Sequence, residues 1–198
     1  LMTKDYHLNA SYKGNYNSTD LSKNPEMIFY KPYSKGKLTH STINYTMNTS
    51  GTNGMTKDAF DAYLFLDGKP KATTSLATND AATLNANNQY GIEAQLAVRD
   101  KRLAETIDPV LAFKGHAYQR AGTHAFTSTT GYAVSKYDNT TELTIDERNN
   151  NNRQYTDCPI FWLSVVYLDY AEAKAELGTI TQTDLDNSIN KLQIRAGL

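Results

Sequence analysis

The sequence predicts a mainly α protein in which a helix hairpin near the C-terminal end adjoins a loop-rich region with a few short strands. Three observations carry that expectation. The run Tyr167-Leu-Asp-Tyr-Ala-Glu-Ala-Lys-Ala-Glu-Leu-Gly178 holds the strongest helix formers of the chain, and the twenty residues after it repeat a helical period. Elsewhere the chain is crowded with 18 Asn and 24 Thr, whose side chains compete for backbone hydrogen bonds and so favour turns. The 198 residues, 39% of them hydrophobic, suffice for the core of one domain.

From Leu1 to about Leu38 the pattern is irregular, and Met27-Ile28-Phe29-Tyr30 predicts one short strand closed by Pro32. Residues 39 to 55 read as a polar loop with two glycines, too long for a mere connection. Thr56 then caps a short helix with Ala59, Phe60, Tyr63 and Leu64 on its apolar side, and Asp67-Gly68-Lys69-Pro70 stops it. A second helix is expected from about Asn88 to Ile107, with Ile92, Leu96 and Leu103 on one side, Gly91 weakening its first turn and Pro109 beyond its end. Gly131 to Tyr137 alternates like a short strand with one wet face, and Asn149 to Asn152 reads as a solvated loop.

The hairpin is expected to begin with a helix from Pro159 to Leu177, carrying Phe161, Trp162, Val165, Val166 and Leu168 and ending at Gly178. Thr183 caps its partner, which runs to about Arg195, with Asp186 as a capping-box analogue and Leu185, Ile189 and Leu192 as the buried stripe. Ala171, Ala173 and Ala175 permit close approach of the two helices. Tyrosine, small residues and a glycine turn together are the signature of a tetratricopeptide-type helix pair, although the 34-residue period of such arrays does not recur here. Residues 1–157 form the loop-rich region and 158–198 the hairpin, in one continuous structural unit.

The charges nearly cancel, 20 basic against 21 acidic, which speaks against a nucleic-acid footprint or an anionic membrane surface and for a small neutral partner. The single Cys158 excludes an internal disulfide framework and a multi-cysteine zinc site. The opening Leu1-Met2-Thr3 lacks a signal-peptide pattern, and no window approaches the roughly 20 apolar residues of a spanning helix.

The stretch Cys158 to Gly178, followed by Ser188 to Leu198, closely resembles SusD/RagB proteins, the nutrient-binding lipoproteins of Bacteroidetes outer membranes. Asn24 to Phe29 looks like that family's segment after its early helices, Thr56 to Pro70 like its short helix ending in Asp-Gly-Lys-Pro, and Arg99 to Leu103 like its Arg-Asp-Pro-Arg stretch. Gly131 to Tyr137 is similar to the segment before the hairpin, and the order of all these motifs is the family's. Lys101 and Met55 stand where the family commonly has Pro, and Trp162 where it commonly has Arg.

The resemblance implies an α-α superhelical SusD-like fold, of which this chain is an interior to C-terminal fragment. It also implies a cell-surface protein that binds oligosaccharide or polysaccharide and hands it to a SusC-like TonB-dependent transporter. Its place would be the outer membrane, held by a lipid anchor outside this fragment, and its role polysaccharide utilisation rather than catalysis. Two other classes stay open on the residues: a helical-repeat scaffold for protein–protein interaction, and a carbohydrate-active enzyme. Exposed aromatics on loops favour a sugar platform, whereas aromatics along a concave helix face favour a peptide groove.

Individual motifs carry little chemistry. Asp184-Leu-Asp186-Asn-Ser188 alternates like a calcium loop but lacks its glycine and late glutamate, and acids at a helix start answer the macrodipole equally well. His116 and His124 have no strong metal spacing, and Asp58 with Asp61 reads as a solvated helix face rather than a glycosidase pair. No nucleophile elbow, zinc-protease helix or phosphate loop occurs, so no catalytic residue, cofactor or metal is expected. Trp162, between Phe161 and Leu163, is expected to pack in a core or partner contact. Tyr33, His40 and Tyr45 punctuate the long polar loop, and Tyr118 lies in the loop from His116 to His124. These four are the candidate carbohydrate contacts, because a neutral sugar presents an apolar ring face and a rim of hydroxyls to aromatic rings and Asn amides.

Overall fold

The computed structural model describes residues 5–48, 53–76, 92–108, 118–119, 125–126, 128, 130 and 132–198. The chain runs through a single turn α1 (Gly14–Asn17), a 3-10 turn (Leu21–Lys23), strand β1 (Met27–Lys31), a π-helical turn (Asn44–Asn48) and helix α2 (Lys57–Ala62). There follow α3 (Ile92–Ala97), α4 (Lys101–Thr106), the two-residue strands β2 (Tyr118–Gln119) and β3 (Ala125–Phe126), and α5 (Ile145–Asn149). Strand β4 (Cys158–Trp162) then leads directly into α6 (Leu163–Glu176), α7 (Gln182–Asp186) and α8 (Ile189–Ala196). The fold is mainly α. Among the described residues the strands form two antiparallel pairs, β1 with β4 and β2 with β3, and no helix is long and apolar enough to cross a membrane.

The hairpin begins later than its sequence suggests. Pro159 to Trp162, expected as the first turn of a helix, instead belongs to strand β4, with Lys31 opposite Cys158, Tyr30 opposite Pro159, Phe29 opposite Phe161 and Met27 opposite Trp162. The aromatic run prefers a pleated, half-buried surface once a partner strand is available, and a two-stranded sheet has an edge that tolerates Pro159. The Leu163 amide closes the junction on the Glu26 carbonyl at 2.9 Å, and only there does the helix start.

Along α6 the buried residues Leu163, Tyr167 and Ala171 recur every fourth position, and Leu163 and Tyr167 cluster with Leu192 of α8. Ala173 and Ala175 fall off that stripe and are exposed, so of the three alanines only Ala171 lies in the buried seam. The partner helix is capped by Thr181, not Thr183. Thr181 accepts from the Asp184 amide while Asp184 accepts from the Thr181 amide, a reciprocal capping box. The helix then breaks at buried Ser188, whose hydroxyl donates to the Asp184 carbonyl at 2.6 Å. α8 stops at Gly197, which takes the left-handed conformation at φ 83°. Ala171→Leu is therefore expected to overpack this seam and cost about 1 to 3 kcal/mol, whereas Ala175→Leu on the exposed face should stay within about 0.5 kcal/mol of the parent. Urea denaturation of the two variants measures the difference.

The long second helix is two short ones. Val98 to Asp100 leaves the helical path because its backbone bonds to an extended segment after α2: the Leu66 amide donates to the Val98 carbonyl at 3.0 Å and the Asp100 amide to the Leu64 carbonyl at 2.9 Å. Asp100 restarts the helix by accepting from the Arg102 amide. Buried Arg99 fastens the break, donating to the carbonyls of Phe60 at 2.9 Å and Tyr63 at 3.1 Å, with its guanidinium 4.7 Å and 4.3 Å from the ring centroids of Phe60 and Phe65. Thr56 does cap α2, its hydroxyl accepting from the Ala59 amide at 3.1 Å, but the helix ends at Ala62. The expected first turn around Gly91 lies outside the described residues.

Around this break sits the first apolar cluster, Phe60, Ile92, Leu103, Ile107 and Tyr132, in which the Phe60 and Tyr132 rings stack at 4.6 Å. The expected strand ending at Tyr137 is replaced by a single bridge between Ile107 and Val134 and a turn at Lys136 and Tyr137. Tyr132, Ala133 and Ser135 are all buried, so the alternation that suggested a wet face is absent. A second cluster joins Ile43 and Leu143 with Tyr137 and Tyr155. Asn150 to Asn152 are exposed, as a solvated loop should be, but Asn149 belongs to the last turn of α5.

Candidate functional site

Among the residues that hold the loop from Thr39 onward, Gln154 does so from beneath. Gln154 is fully buried; its Oε1 accepts from the Ile43 amide at 2.8 Å and its Nε2 donates to the Arg148 carbonyl at 3.2 Å and the Asn150 carbonyl at 3.3 Å. Its backbone exchanges two further hydrogen bonds with His40. Gln154→Leu keeps the bulk but strands these polar groups, at an expected cost of about 1 to 3 kcal/mol, and hydrogen exchange at the Ile43 amide should speed up. Protection equal to that of the parent protein would contradict this role.

On that support Tyr33 and His40 meet edge to face at 4.7 Å. Asp157 fixes Tyr33 by accepting from its amide at 2.8 Å, while its other oxygen accepts from the Leu21 amide at 2.9 Å. His40 contacts the Thr156 carbonyl through Nε2 at 2.9 Å, and its Nδ1 accepts from the Thr42 amide at 3.2 Å. A carbonyl can only accept, so the proton sits on Nε2. Burial pushes the imidazole below its ordinary pKa, which keeps it neutral at pH 7. Lys31 lies 5.0 Å over the Tyr33 ring. Tyr45 stands on the π-helical turn, 56% exposed, where the Asn53 amide group donates to its carbonyl at 2.6 Å. Tyr118 opens β2, opposite Phe126, and its side chain lies outside the described residues, as do His116 and His124. The structure thus brings Tyr33 and His40 into contact and places Tyr45 further along the same loop.

A second group of rings escaped the sequence reading. Tyr16 of α1 lies at the centre, 5.1 Å from Tyr12, 5.8 Å from Trp162 and 6.1 Å from Tyr137, all in edge-to-face geometry. Every one of these rings is half-buried, and burial is the main cause raising the Tyr16 hydroxyl well above its ordinary pKa. Lys136 reaches over the Tyr16 ring at 4.1 Å and the Tyr137 ring at 5.2 Å. The Tyr12 and Tyr16 spacing of four residues was the one signal available in the sequence; the contacts with Tyr137 and Trp162 span more than a hundred positions and leave no local trace.

Beside α1 opens a cleft of about 320 Å³ lined by polar side chains, among them Asn9, Asn17, Asn24, Asn139, Asp20 and Glu142. Asn139 ties it together, donating to the Asn17 carbonyl at 2.8 Å and to Glu142 at 2.7 Å. The two ring groups are joined by β4. Asp157, which holds Tyr33, immediately precedes the strand, and Trp162 ends it, so five residues at about 3.3 Å each separate the two anchor points by roughly 16 Å.

Of the carboxylates singled out by sequence, Asp61 and Asp184 have structural partners and Asp58 faces solvent. Asp61 accepts from Lys57 at 2.5 Å and faces Arg99 at 3.6 Å, Asp58 is exposed in the first turn of α2, and Asp184 closes the capping box and accepts from the Tyr170 hydroxyl.

The sequence model of the SusD family matches residues 9–198. The chain belongs to the SusD/RagB family. Its fold matches that of a solved SusD-like carbohydrate binding protein from Bacteroides fragilis NCTC 9343 with a TM-score of 0.65 and 22% identity, over 99% of this chain and 38% of that one. The chain therefore spans little more than a third of that relative's length. No curated protein matches it. Within this chain the β1–β4 sheet joins the helix hairpin to the N-terminal segment, and Trp162 at the end of β4 meets Tyr16 of α1.

Proposed function

We propose that this SusD-family chain is part of a cell-surface glycan-binding protein that delivers its ligand to a SusC-like TonB-dependent transporter, without hydrolysing it. The observation that carries the reading is the set of half-buried rings at both ends of β4, Tyr12, Tyr16, Tyr137 and Trp162 at one and Tyr33 at the other, in a chain of this family. Such rings offer the C–H face of a sugar an apolar surface, and the neighbouring amide-lined cleft offers its hydroxyls donors and acceptors. Tyr45 extends the contact along the loop side, Tyr118 of β2 is a further candidate contact, and His40 holds Tyr33 in place. The body of the ligand is a neutral oligosaccharide or polysaccharide, since stacking and hydrogen bonding dominate these surfaces.

Outer-membrane attachment comes through a lipid anchor outside residues 1–198. Regions 1–157 and 158–198 act as one binding unit. The rings lie on turns, loops and a strand end rather than along a helix face, which favours a sugar platform over a helical-repeat scaffold for peptides. A glycan array probed with the protein tests the reading, combined with an assay for new reducing ends. Binding to a subset of oligosaccharides without new reducing ends is expected. Binding to no glycan would refute the proposal, and release of reducing ends would move the protein to the enzymes.

A further inference from the structure

Lysines over tyrosine rings recur in this protein, and most of them also have a counter-charge or open solvent. Lys35 lies over Tyr155 and pairs with Glu147 at 2.7 Å; Lys174 lies over Tyr170 and faces Asp184 at 3.6 Å. Lys31, over Tyr33, is exposed. Lys191, half-buried, lies 5.5 Å over the single ring of Tyr167. Lys136 differs from all of these in being held closely against two rings. It is half-buried against two rings, Tyr16 at 4.1 Å and Tyr137 at 5.2 Å, and among the described residues no carboxylate pairs with it and no acceptor receives a hydrogen bond from its ammonium.

Ring faces attract the charge but accept no strong hydrogen bond, so up to three N–H donors are left to water or a ligand. Desolvation alone is the cause pushing this amine below its ordinary pKa, which is the direction expected when burial is not offset by an anion. Its backbone is held firmly, the Lys136 amide donating to the Thr106 carbonyl at 3.2 Å beside a turn closed by the Asp138 amide on the Ser135 carbonyl at 3.0 Å. The ammonium is thus positioned inside the ring cluster rather than sweeping over the surface.

We propose that Lys136 receives an anionic substituent of the bound saccharide, a carboxylate or sulfate on one sugar residue whose ring packs against Tyr16 and Tyr137. This rests on the glycan reading and refines it: the ligand is neutral over most of its length and carries an acidic residue at this end of β4. A carboxylate brought to a half-buried ammonium gains charge-assisted hydrogen bonds that water supplies less well at such a position. A neutral saccharide at the same place would leave the cation without a counter-charge.

The test uses matched probes: a neutral oligosaccharide ending in a single glucuronic acid against its carboxyl-reduced form, and a galactan oligosaccharide bearing a single sulfate against its desulfated form, each titrated into the parent protein and into Lys136→Gln and Lys136→Arg. At least one acidic probe should bind about fivefold or more tighter than its uncharged counterpart, the scale of one ion pair. That preference should vanish in Lys136→Gln and survive in Lys136→Arg, and the arm in which it occurs identifies carboxylate or sulfate. On the parent protein, acylation of Lys136 by N-hydroxysuccinimidyl acetate, followed by peptide mass spectrometry, should slow with the preferred acidic probe and not with its counterpart; this decides the matter if Lys136→Gln does not fold. Equal binding of the paired probes, binding of uncharged probes alone, or a preference that persists in Lys136→Gln overturns the inference and leaves the glycan reading intact. Failure of every saccharide on the array and in these titrations to bind would overturn both.

Discussion

Glu26→Ala is expected to destabilise the protein by about 3 to 5 kcal/mol, the cost of leaving a buried charge without its partner, and to lower Tm by roughly 6 to 20 °C for a chain of this size. Glu26 is fully buried and holds three elements at once. Arg195 of α8 donates to it at 2.6 Å, the Ser164 hydroxyl of α6 donates to its other oxygen, and the Asn9 amide of the N-terminal segment donates at 2.9 Å. Removing the carboxylate strands the Arg195 guanidinium, which also donates to Ser164 at 3.0 Å. The double variant Glu26→Leu with Arg195→Leu should lose less than Glu26→Ala alone, because the desolvated charge is gone with its partner. Chemical denaturation of both variants checks this, and a loss below about 1 kcal/mol, ordinary for a surface site, would show that the network carries little of the fold.

A comparable loss, again about 3 to 5 kcal/mol, is expected for Asp138→Ala. Arg148 grips Asp138 through two parallel bonds, Nε to Oδ1 at 2.6 Å and Nη2 to Oδ2 at 2.7 Å, with both side chains almost wholly buried. This fork–fork geometry is the strong form of the pair. It also ties the site together, since Asp138 follows Tyr137 of the ring cluster and the Arg148 carbonyl receives Gln154 beneath the His40 loop. Asp138→Ala is therefore expected to weaken saccharide binding at both ends of β4, whereas a change confined to one end would show that the two ring groups are supported separately. Melting and saccharide titration of the same variant separate the two results.

What the sequence reveals of this fold is what local chemistry governs. The Thr56 cap, the strand around Met27, the glycine stop after Leu177 and the buried positions Ala171 and Leu192 follow from side-chain preference and period, whereas buried Leu163 and exposed Leu168 do not. The larger misreadings occur where a distant partner overrides a local preference. Pro159 favours a helix start until Met27 to Lys31 offers a ladder, and Arg99 breaks a helix because its guanidinium is claimed by carbonyls 36 and 39 positions earlier. Thr181 rather than Thr183 caps the last helices because Asp184, not Asp186, returns the hydrogen bond.

The candidate site divides along the same line. Tyr33, His40 and Tyr45 are visible as aromatics in a polar loop, whereas Gln154 and Asp157, which hold that loop, look like ordinary polar residues until the fold buries them. Tyr16 gives no local sign of its contacts with Tyr137 and Trp162, because β4 and the turn at Lys136 deliver those rings from the far side of the chain.

The most direct test of the account is calorimetric titration of the array-selected oligosaccharide into the parent protein, Tyr33→Ala/Tyr45→Ala and Tyr12→Leu/Tyr16→Leu, with melting curves on each. Tyr45 is exposed, and the leucines keep bulk where Tyr12 and Tyr16 pack, so all three proteins should fold. Each double variant is expected to bind at least about tenfold more weakly than the parent, a loss of about 1.4 kcal/mol or more, without altering the stoichiometry. Full affinity retained by both double variants, with the parent fold intact, would contradict the claim that the rings at the two ends of β4 hold the saccharide.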